Sequence, residues 1–192
     1  MHKRTFLFLA AIILPVITVC KKKDSAGYEF NERLPELIVG HVYWKERHTP
    51  EEEKRAVDGI MKQMAGLMTM LEKKDFSALP ENVSREKGIY TDLKAHKTYE
   101  EIKKEVAKSD GYLQTFFLNT DRLRAHTEDP AQLSVRDVFR LTTRVKVDFY
   151  MESGQDQCEL RLFLLDSPEN NFRLNNPVFI REQNSWKVYR LF

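Results

Sequence analysis

The last third of the chain alternates apolar and polar residues over several short segments. In residues 145–152 every second side chain is an apolar one, and Lys146, Asp148, Tyr150 and Glu152 stand between them. This period of two puts one face of a strand in a core and the other in water. Further strands are predicted at 158–165, 172–180 and 186–192, with turns at 153–156, 167–171 and 184–185. Consecutive strands joined by short turns form an antiparallel meander.

Two capping boxes mark the starts of helices before this sheet. Thr49 precedes Pro50 and stands three residues before Glu52, and Thr98 stands three residues before Glu101. Apolar residues then recur at spacings of three and four on one face of the first helix, which is predicted to run to about residue 74. The second helix is predicted to end at about residue 107. Between them, residues 89–93 are predicted to form a short strand, and residues 112–118 are compatible with strand or helix.

This order of elements predicts an α+β domain at 49–192, in which a long N-terminal helix packs against a curved antiparallel sheet. It resembles the nuclear transport factor 2-like (cystatin-like) superfamily. The resemblance depends on the long helix ending before an acidic-aromatic pair, here Asp75 and Phe76, on a first strand at 89–93, and on the terminal meander. It covers roughly residues 50–192. It implies a cone-shaped fold, used in that superfamily by isomerases and dehydratases with acid–base residues at the mouth of the cone.

The first nineteen residues have the pattern of a signal peptide. His2, Lys3 and Arg4 form a charged segment, an apolar run follows from 6 to 19, and three lysines at 21–23 end it. The run is shorter than the roughly 20 residues that span a bilayer. Its end resembles the lipobox of bacterial lipoproteins, in the looser form of spirochaete proteins, and this implies a lipid on Cys20. The alternative is an ordinary secretory signal in which Cys20 is incidental.

Residues 20–48 are therefore predicted to be a lipid-anchored tether (21–32) followed by a segment at the edge of the domain (34–44). Lys21, rather than aspartate, follows the acylated position. By resemblance to enterobacterial lipoproteins, whose retention signal uses that aspartate, this indicates the outer membrane of a bacterial cell envelope. The membrane, reached through the lipid anchor, is thus the first predicted partner.

Charge and cysteine content narrow the remaining classes of function. The chain has 31 basic and 29 acidic residues, and removing the two basic residues of the signal leaves 29 of each. Such a balance disfavours a nucleic-acid binder, which needs a basic surface. Cys158 has no second cysteine to pair with once Cys20 is acylated, and it is predicted to be a small buried side chain. The histidines lack the paired spacing of a metal site, so neither metal nor cofactor is predicted.

Tyr90 and Asp92 are the candidates for a pocket, because they would share one face of the strand at 89–93. An aspartate facing an apolar cavity could act as a base, with Tyr90 as a hydrogen-bond donor. The favoured function is a non-enzymatic binding or scaffolding domain for an unknown protein or small molecule, which predicts a shallow or filled interior. The alternative is a small-molecule binder or a cone-type acid–base enzyme, which predicts an apolar cavity of about 300 Å³ or more.

Overall fold

The computed structural model describes residues 22–154 and 156–192. The predicted signal peptide at 1–19 and Cys20 lie outside these residues. The α+β class is confirmed: the described chain has helices on a seven-stranded sheet and a separate two-stranded ribbon. The helices are α1 (Pro50–Lys73), α2 (Tyr99–Val106), α3 (Thr120–Thr127) and α4 (Val135–Phe139). A π-helix covers Leu113–Leu118, and 3₁₀ helices cover Leu79–Asn82 and Pro168–Arg173.

The strands are β1 (Lys22–Lys23), β2 (Glu29–Phe30), β3 (Glu36–Trp44), β4 (Ile89–Tyr90), β5 (His96–Lys97), β6 (Arg144–Met151), β7 (Gln157–Leu164), β8 (Val178–Glu182) and β9 (Ser185–Arg190). The large sheet has the order β3-β6-β7-β8-β9-β4-β5. Its centre, β6 to β9, is the antiparallel meander that the alternation predicts.

The prediction of a wholly antiparallel sheet is wrong, because the sheet is mixed. β3 pairs with β6 in parallel, and β4 pairs with β9 in parallel. Parallel neighbours need a long crossover connection, and the α1-to-α4 region lies between β3 and β6. The segment expected at the domain edge is thus an edge strand of the main sheet.

Two predicted strands are shorter than expected. In the segment 89–93 only Ile89–Tyr90 is a strand, since the Asp92 carboxylate accepts the N–H groups of Lys94 and Ala95 and turns the chain. In the segment 172–180 the chain first completes the 3₁₀ helix Pro168–Arg173, and strand structure begins only at Val178.

The tether predicted at 21–32 is folded from Lys22 onward. β1 and β2 form an antiparallel ribbon, with Lys22 opposite Phe30. The Asp24 carboxylate lies 2.7 Å from the Arg124 guanidinium in α3, and Phe30 is buried. The ribbon therefore packs on the domain.

The capping boxes form as their sequences predict. The Thr49 hydroxyl accepts the Glu52 N–H at 3.2 Å while the Glu52 carboxylate accepts the Thr49 N–H at 2.7 Å, and Thr98 and Glu101 repeat this geometry. Helix α1 ends at Lys73, and the capping residue Lys74 that follows is in the left-handed region at φ +56°. Its buried face, including the fully enclosed Ile60 and Met64, belongs to one continuous core with the apolar face of the sheet.

The main sheet has two opposite ends, named here for the first and last residues of β3. At the Glu36 end lie the first residues of β3 and β6, because Glu36 is opposite Arg144, together with the last residues of β7. At the Trp44 end lie the last residues of β3 and β6 and the β8–β9 turn. The eight residues of β6 separate these ends by roughly 23 Å, at about 3.3 Å per residue.

Candidate functional site

A cleft of about 600 Å³ opens at the Trp44 end, between the first half of α1 and the β8–β9 hairpin. Helix α1 contributes Arg55, Gly59, Lys62 and Gln63, strand β3 contributes Trp44, and the hairpin contributes Arg181, Asn184, Ser185 and Trp186. Both tryptophans of the chain therefore line the same cleft.

The helix approaches the hairpin closely because Gly59 has no side chain. A Cβ atom at this position would lie 2.6 Å from Cδ1 of Trp186, which real contacts essentially never show. Arg55, Gly59 and Lys62 follow at spacings of four and three, so they share one face of the helix. This face therefore carries Arg55 and Lys62 on either side of Gly59, where the Trp186 indole packs against the helix.

The cleft has a positive electrostatic character. Arg55, Lys62 and Arg181 line it, and among the described residues no carboxylate lies within 4 Å of their nitrogens. The acidic member of the lining, Glu52, is committed to the cap of α1. Hydrogen bonds from the Thr49 backbone and side chain lower the pKa of Glu52, so it remains ionised and occupied with the helix end.

Two residues that line the cleft each have a buried polar atom without a partner in the described part of the chain, the indole N–H of Trp44 and the side-chain oxygen of Gln63. The Trp44 ring is held in place by stacking on His48, with ring centroids 4.2 Å apart, and His48 contacts Glu53 at 2.8 Å. A buried donor without an acceptor costs about 1–3 kcal/mol.

The turn beside the cleft is a two-residue hairpin loop with positive φ at both central residues, as in a type I′ turn. Gln183 and Asn184 both have positive φ, +45° and +67°, in a two-residue loop between the paired residues Glu182 and Ser185. Asparagine accepts this conformation readily, but glutamine does not. The turn places the side-chain oxygen of Asn184 3.2 Å from Arg181, where it accepts a hydrogen bond from the guanidinium.

The predicted pair Tyr90 and Asp92 is not part of this cleft or of the two other clefts described in the structure. The Tyr90 ring packs edge-on against Tyr189 and against His96, with centroids 5.4 and 4.9 Å away. Asp92 lies in the following turn, where it accepts the N–H groups of Lys94 and Ala95 at 2.6 and 2.8 Å. The Tyr112 hydroxyl donates to the other carboxylate oxygen at 3.3 Å.

These contacts set the charge state of Asp92. Burial raises the pKa of Asp92, but hydrogen bonds from the Lys94 and Ala95 backbones and from Tyr112 outweigh it and hold that pKa below its usual value. Burial and the neighbouring Asp92 charge raise the pKa of the Tyr112 phenol. A general base working near neutral pH needs a raised carboxylate pKa, so the perturbation has the opposite sign to the one that proton abstraction requires.

The other residues considered from the sequence, Cys158 and the possible metal ligands, lie in environments typical of structural residues. Cys158 is fully buried, and burial raises the pKa of its thiol to about 12, which disfavours the thiolate that a nucleophile needs. In the residues that the structure describes, no three metal-binding side chains converge. No helix of the described chain is both long and apolar enough to cross a bilayer.

Comparison of the chain with protein-family models, curated proteins and solved structures finds no match. The cleft therefore has to be interpreted from its own chemistry. Guanidinium, ammonium and indole N–H donors around a partly enclosed space suit an anionic group that has several acceptor oxygens. Sequence reasoning missed this site, although both tryptophans and the spacing of Arg55, Gly59 and Lys62 were visible signals.

Proposed function

We propose that this chain is a lipid-anchored protein of the bacterial cell envelope that presents a non-enzymatic binding domain. The charged first residues, the apolar run that follows and Cys20 at its end support export and acylation. Lys21 supports placement in the outer membrane, by resemblance to lipoproteins that lack the aspartate retention signal. The fatty-acyl chains hold the protein on the membrane, and the domain acts outside the bilayer.

The ligand of the domain, in this proposal, is a small molecule bearing a carboxylate or phosphate group, bound in the cleft at the Trp44 end. The observation that carries it is the set of three cations, Arg55, Lys62 and Arg181, that line the cleft with no carboxylate within 4 Å among the described residues. Trp44, whose buried indole N–H has no acceptor among those residues, lines the same cleft. A carboxylate or phosphate oxygen would accept from the indole while Arg55, Lys62 and Arg181 balance the charge. Hydrogen bonds to charged groups contribute about 1.5–3 kcal/mol each.

The alternative of a cone-type acid–base enzyme is the weaker of the two. It required Asp92 to face an apolar cavity, and the lowered pKa of Asp92 and its place in a turn favour a structural role. The finer description of the fold, a nuclear transport factor 2-like cone, is also a proposal. The 24-residue helix α1 and the β6–β9 meander support it, while the parallel edge strand β3 departs from the antiparallel sheet that it implies.

Metabolic labelling with a fatty-acid analogue tests the anchor. The wild-type protein should take up the label and sediment with membranes, and Cys20→Ser should lose the label and appear in the soluble fraction. Acylation accounts for this difference, since the three lysines alone bind a membrane weakly and reversibly. An unlabelled wild-type protein would end the lipoprotein interpretation.

Titration of tryptophan fluorescence with inorganic phosphate and with citrate tests the cleft. Trp44→Phe keeps an aromatic ring and removes the indole N–H, so it should weaken binding about tenfold, the equivalent of about 1.4 kcal/mol, with Trp186 remaining as reporter. Lys62→Gln should weaken binding as well, and more at low salt. Lys54→Gln is the matched control, because Lys54 is on the same helix but pairs with Asp58 outside the cleft. Equal losses in the control and the cleft variants, or no response to either anion, would contradict the proposal.

A further inference from the structure

The ribbon β1–β2 fixes the position of the chain next to Cys20. The Arg124 guanidinium donates to Asp24 at 2.7 Å, and the Arg173 guanidinium donates to the Tyr28 hydroxyl at 2.9 Å. The Asn31 N–H donates to the Arg140 carbonyl oxygen at 2.8 Å. These three contacts reach α3, the last 3₁₀ helix and the end of α4, so the ribbon is attached to the body of the domain at several points.

Only two residue steps separate Cys20 from Lys22, the first residue of this ribbon. Two steps of extended chain span at most about 7 Å. An acylated Cys20 lies at the membrane surface, since its acyl chains are in the hydrocarbon. The domain therefore lies too close to the bilayer for a tether to separate the two. The face of the domain that carries the β1–β2 ribbon has to contact the lipid.

An exposed aromatic side chain lies on that face. Phe172, in the 3₁₀ helix Pro168–Arg173, is 78% exposed, which makes it the most exposed of the large apolar side chains described. The Arg173 guanidinium connects it to the ribbon, at 5.1 Å from the Phe172 ring centroid and 5.7 Å from that of Tyr28. Leu165, 41% exposed, follows the last residue of β7 at the same Glu36 end.

We propose that the domain rests directly on the bilayer through the face formed by the β1–β2 ribbon and Phe172, with Phe172 inserted among the lipid headgroups. This inference depends on the lipid anchor of the proposed function. A phenylalanine beside tyrosine and arginine is the composition found at membrane–water interfaces, where apolar rings are buried and polar tips stay hydrated. Lys23, exposed in β1, adds attraction to anionic headgroups.

This orientation of the domain on the bilayer also determines which side the cleft faces. The ribbon and Phe172 lie at the Glu36 end of the sheet, and the cleft opens at the Trp44 end, roughly 23 Å away along β6. The cleft then faces the aqueous phase, and a soluble anion reaches it without crossing the lipid surface.

Site-specific fluorescence on the full-length acylated protein tests the inference. The protein is reconstituted into vesicles of phosphatidylethanolamine and phosphatidylglycerol that contain a spin-labelled lipid with its quencher at headgroup depth. An environment-sensitive thiol dye is attached to Phe172→Cys, and, as matched control, to Ser153→Cys at the Trp44 end. Both positions are exposed, and Cys158 is buried and does not react. Glu169→Cys, exposed on the same 3₁₀ helix, repeats the measurement with Phe172 intact.

The dyes at positions 172 and 169 should shift to shorter emission wavelengths on reconstitution and be quenched by the spin-labelled lipid. The dye at 153 should keep its emission in water. Equal emission at 172 and 153, or quenching at 153 instead, would overturn the inference. Mass spectrometry of the same sample separates this failure from failure of the anchor, because an unacylated Cys20 would itself carry the dye.

Discussion

The substitution Asp92→Asn tests whether the Asp92 carboxylate has a structural or a catalytic role. In the structure the Asp92 carboxylate accepts three hydrogen bonds, two from backbone N–H groups and one from the Tyr112 hydroxyl. An asparagine can keep one acceptor oxygen in the turn, but it loses the charge and offers an N–H₂ group to the remaining donor. The substitution should therefore destabilise the domain.

The size of the loss can be worked out from these contacts. Hydrogen bonds to a charged acceptor contribute about 1.5–3 kcal/mol in buried surroundings, and Asp92 is only partly buried, so solvent screening reduces this figure. A net loss of about 1 kcal/mol remains, which corresponds to a fall in melting temperature of about 2–4 °C in a domain of this size. Thermal unfolding followed by circular dichroism measures it.

The pH dependence gives a second check. The pKa of Asp92 is lower in the folded protein than its ordinary value of 3.8, so its charge stabilises the fold above that pH. The difference in free energy of unfolding between wild type and Asp92→Asn should be constant near neutral pH and shrink as the pH falls below about 4. Tyr112→Phe should lose less, as it removes one donor. A rise of several degrees in Asp92→Asn would refute this reasoning and indicate a carboxylate held in an unfavourable, catalytic environment.

Three further changes test the fold by thermal unfolding or thiol labelling. Leu67→Asp, at a buried position on α1, should prevent folding because it buries an unpaired charge. Lys62→Asp, on the exposed face of the same helix, should still melt cooperatively. A cooperatively melting Leu67→Asp variant would show that the helix faces the other way. Asp148→Ala should cost about 2 kcal/mol, since the 3% exposed carboxylate accepts the His41 N–H at 2.9 Å, and Asp148→Asn should cost less because its side-chain oxygen can still accept that N–H; equal losses would refute a stabilising role for this hydrogen bond. Cys158 should react with a thiol reagent only in denaturant, and rapid reaction of the native protein would contradict its burial.

Local patterns predicted those elements whose stabilising contacts are close in the sequence. The capping boxes at Thr49 and Thr98 depend on residues three positions apart, and both helices begin where these signals stand. The alternation in 145–152 corresponds to β6 at Arg144–Met151, because a strand with one buried face needs that period.

Contacts between distant segments could not be predicted in this way. The pairing of β3 with β6 is supported by the bond between the His41 N–H and Asp148, 107 positions apart, and the ribbon by the Asp24–Arg124 pair, 100 positions apart. Residues 21–32 are polar and have no regular spacing of apolar residues, so no local pattern in the sequence predicts their attachment to the domain. The cleft likewise combines α1, the end of β3 and the β8–β9 hairpin, which are separate in the sequence.

Asp92 shows how a local signal can be misinterpreted. Residues 89–93 alternate, which predicts a strand with Tyr90 and Asp92 on one face. Aspartate, however, competes with the strand ladder by accepting N–H groups of its own following residues, and this turns the chain after Tyr90. A pocket inferred from side-chain alternation alone thus depended on a strand that ends two residues too early.

The edge strand β3 carries an irregularity at Gly40, where the pairing with β6 shifts between Val39 and Val42. A Cβ atom at Gly40 would lie 2.0 Å from the Asp148 carboxylate, so glycine is needed for this close approach. At the opposite edge, β5 has only two residues. Copies of a protein held on one membrane share a two-dimensional surface, on which exposed strand edges of neighbouring molecules meet repeatedly. A bulged edge and a very short edge both resist pairing with a second sheet. In the membrane-anchored protein that we propose, the same glycine that admits Asp148 would therefore also protect crowded copies from edge-to-edge aggregation.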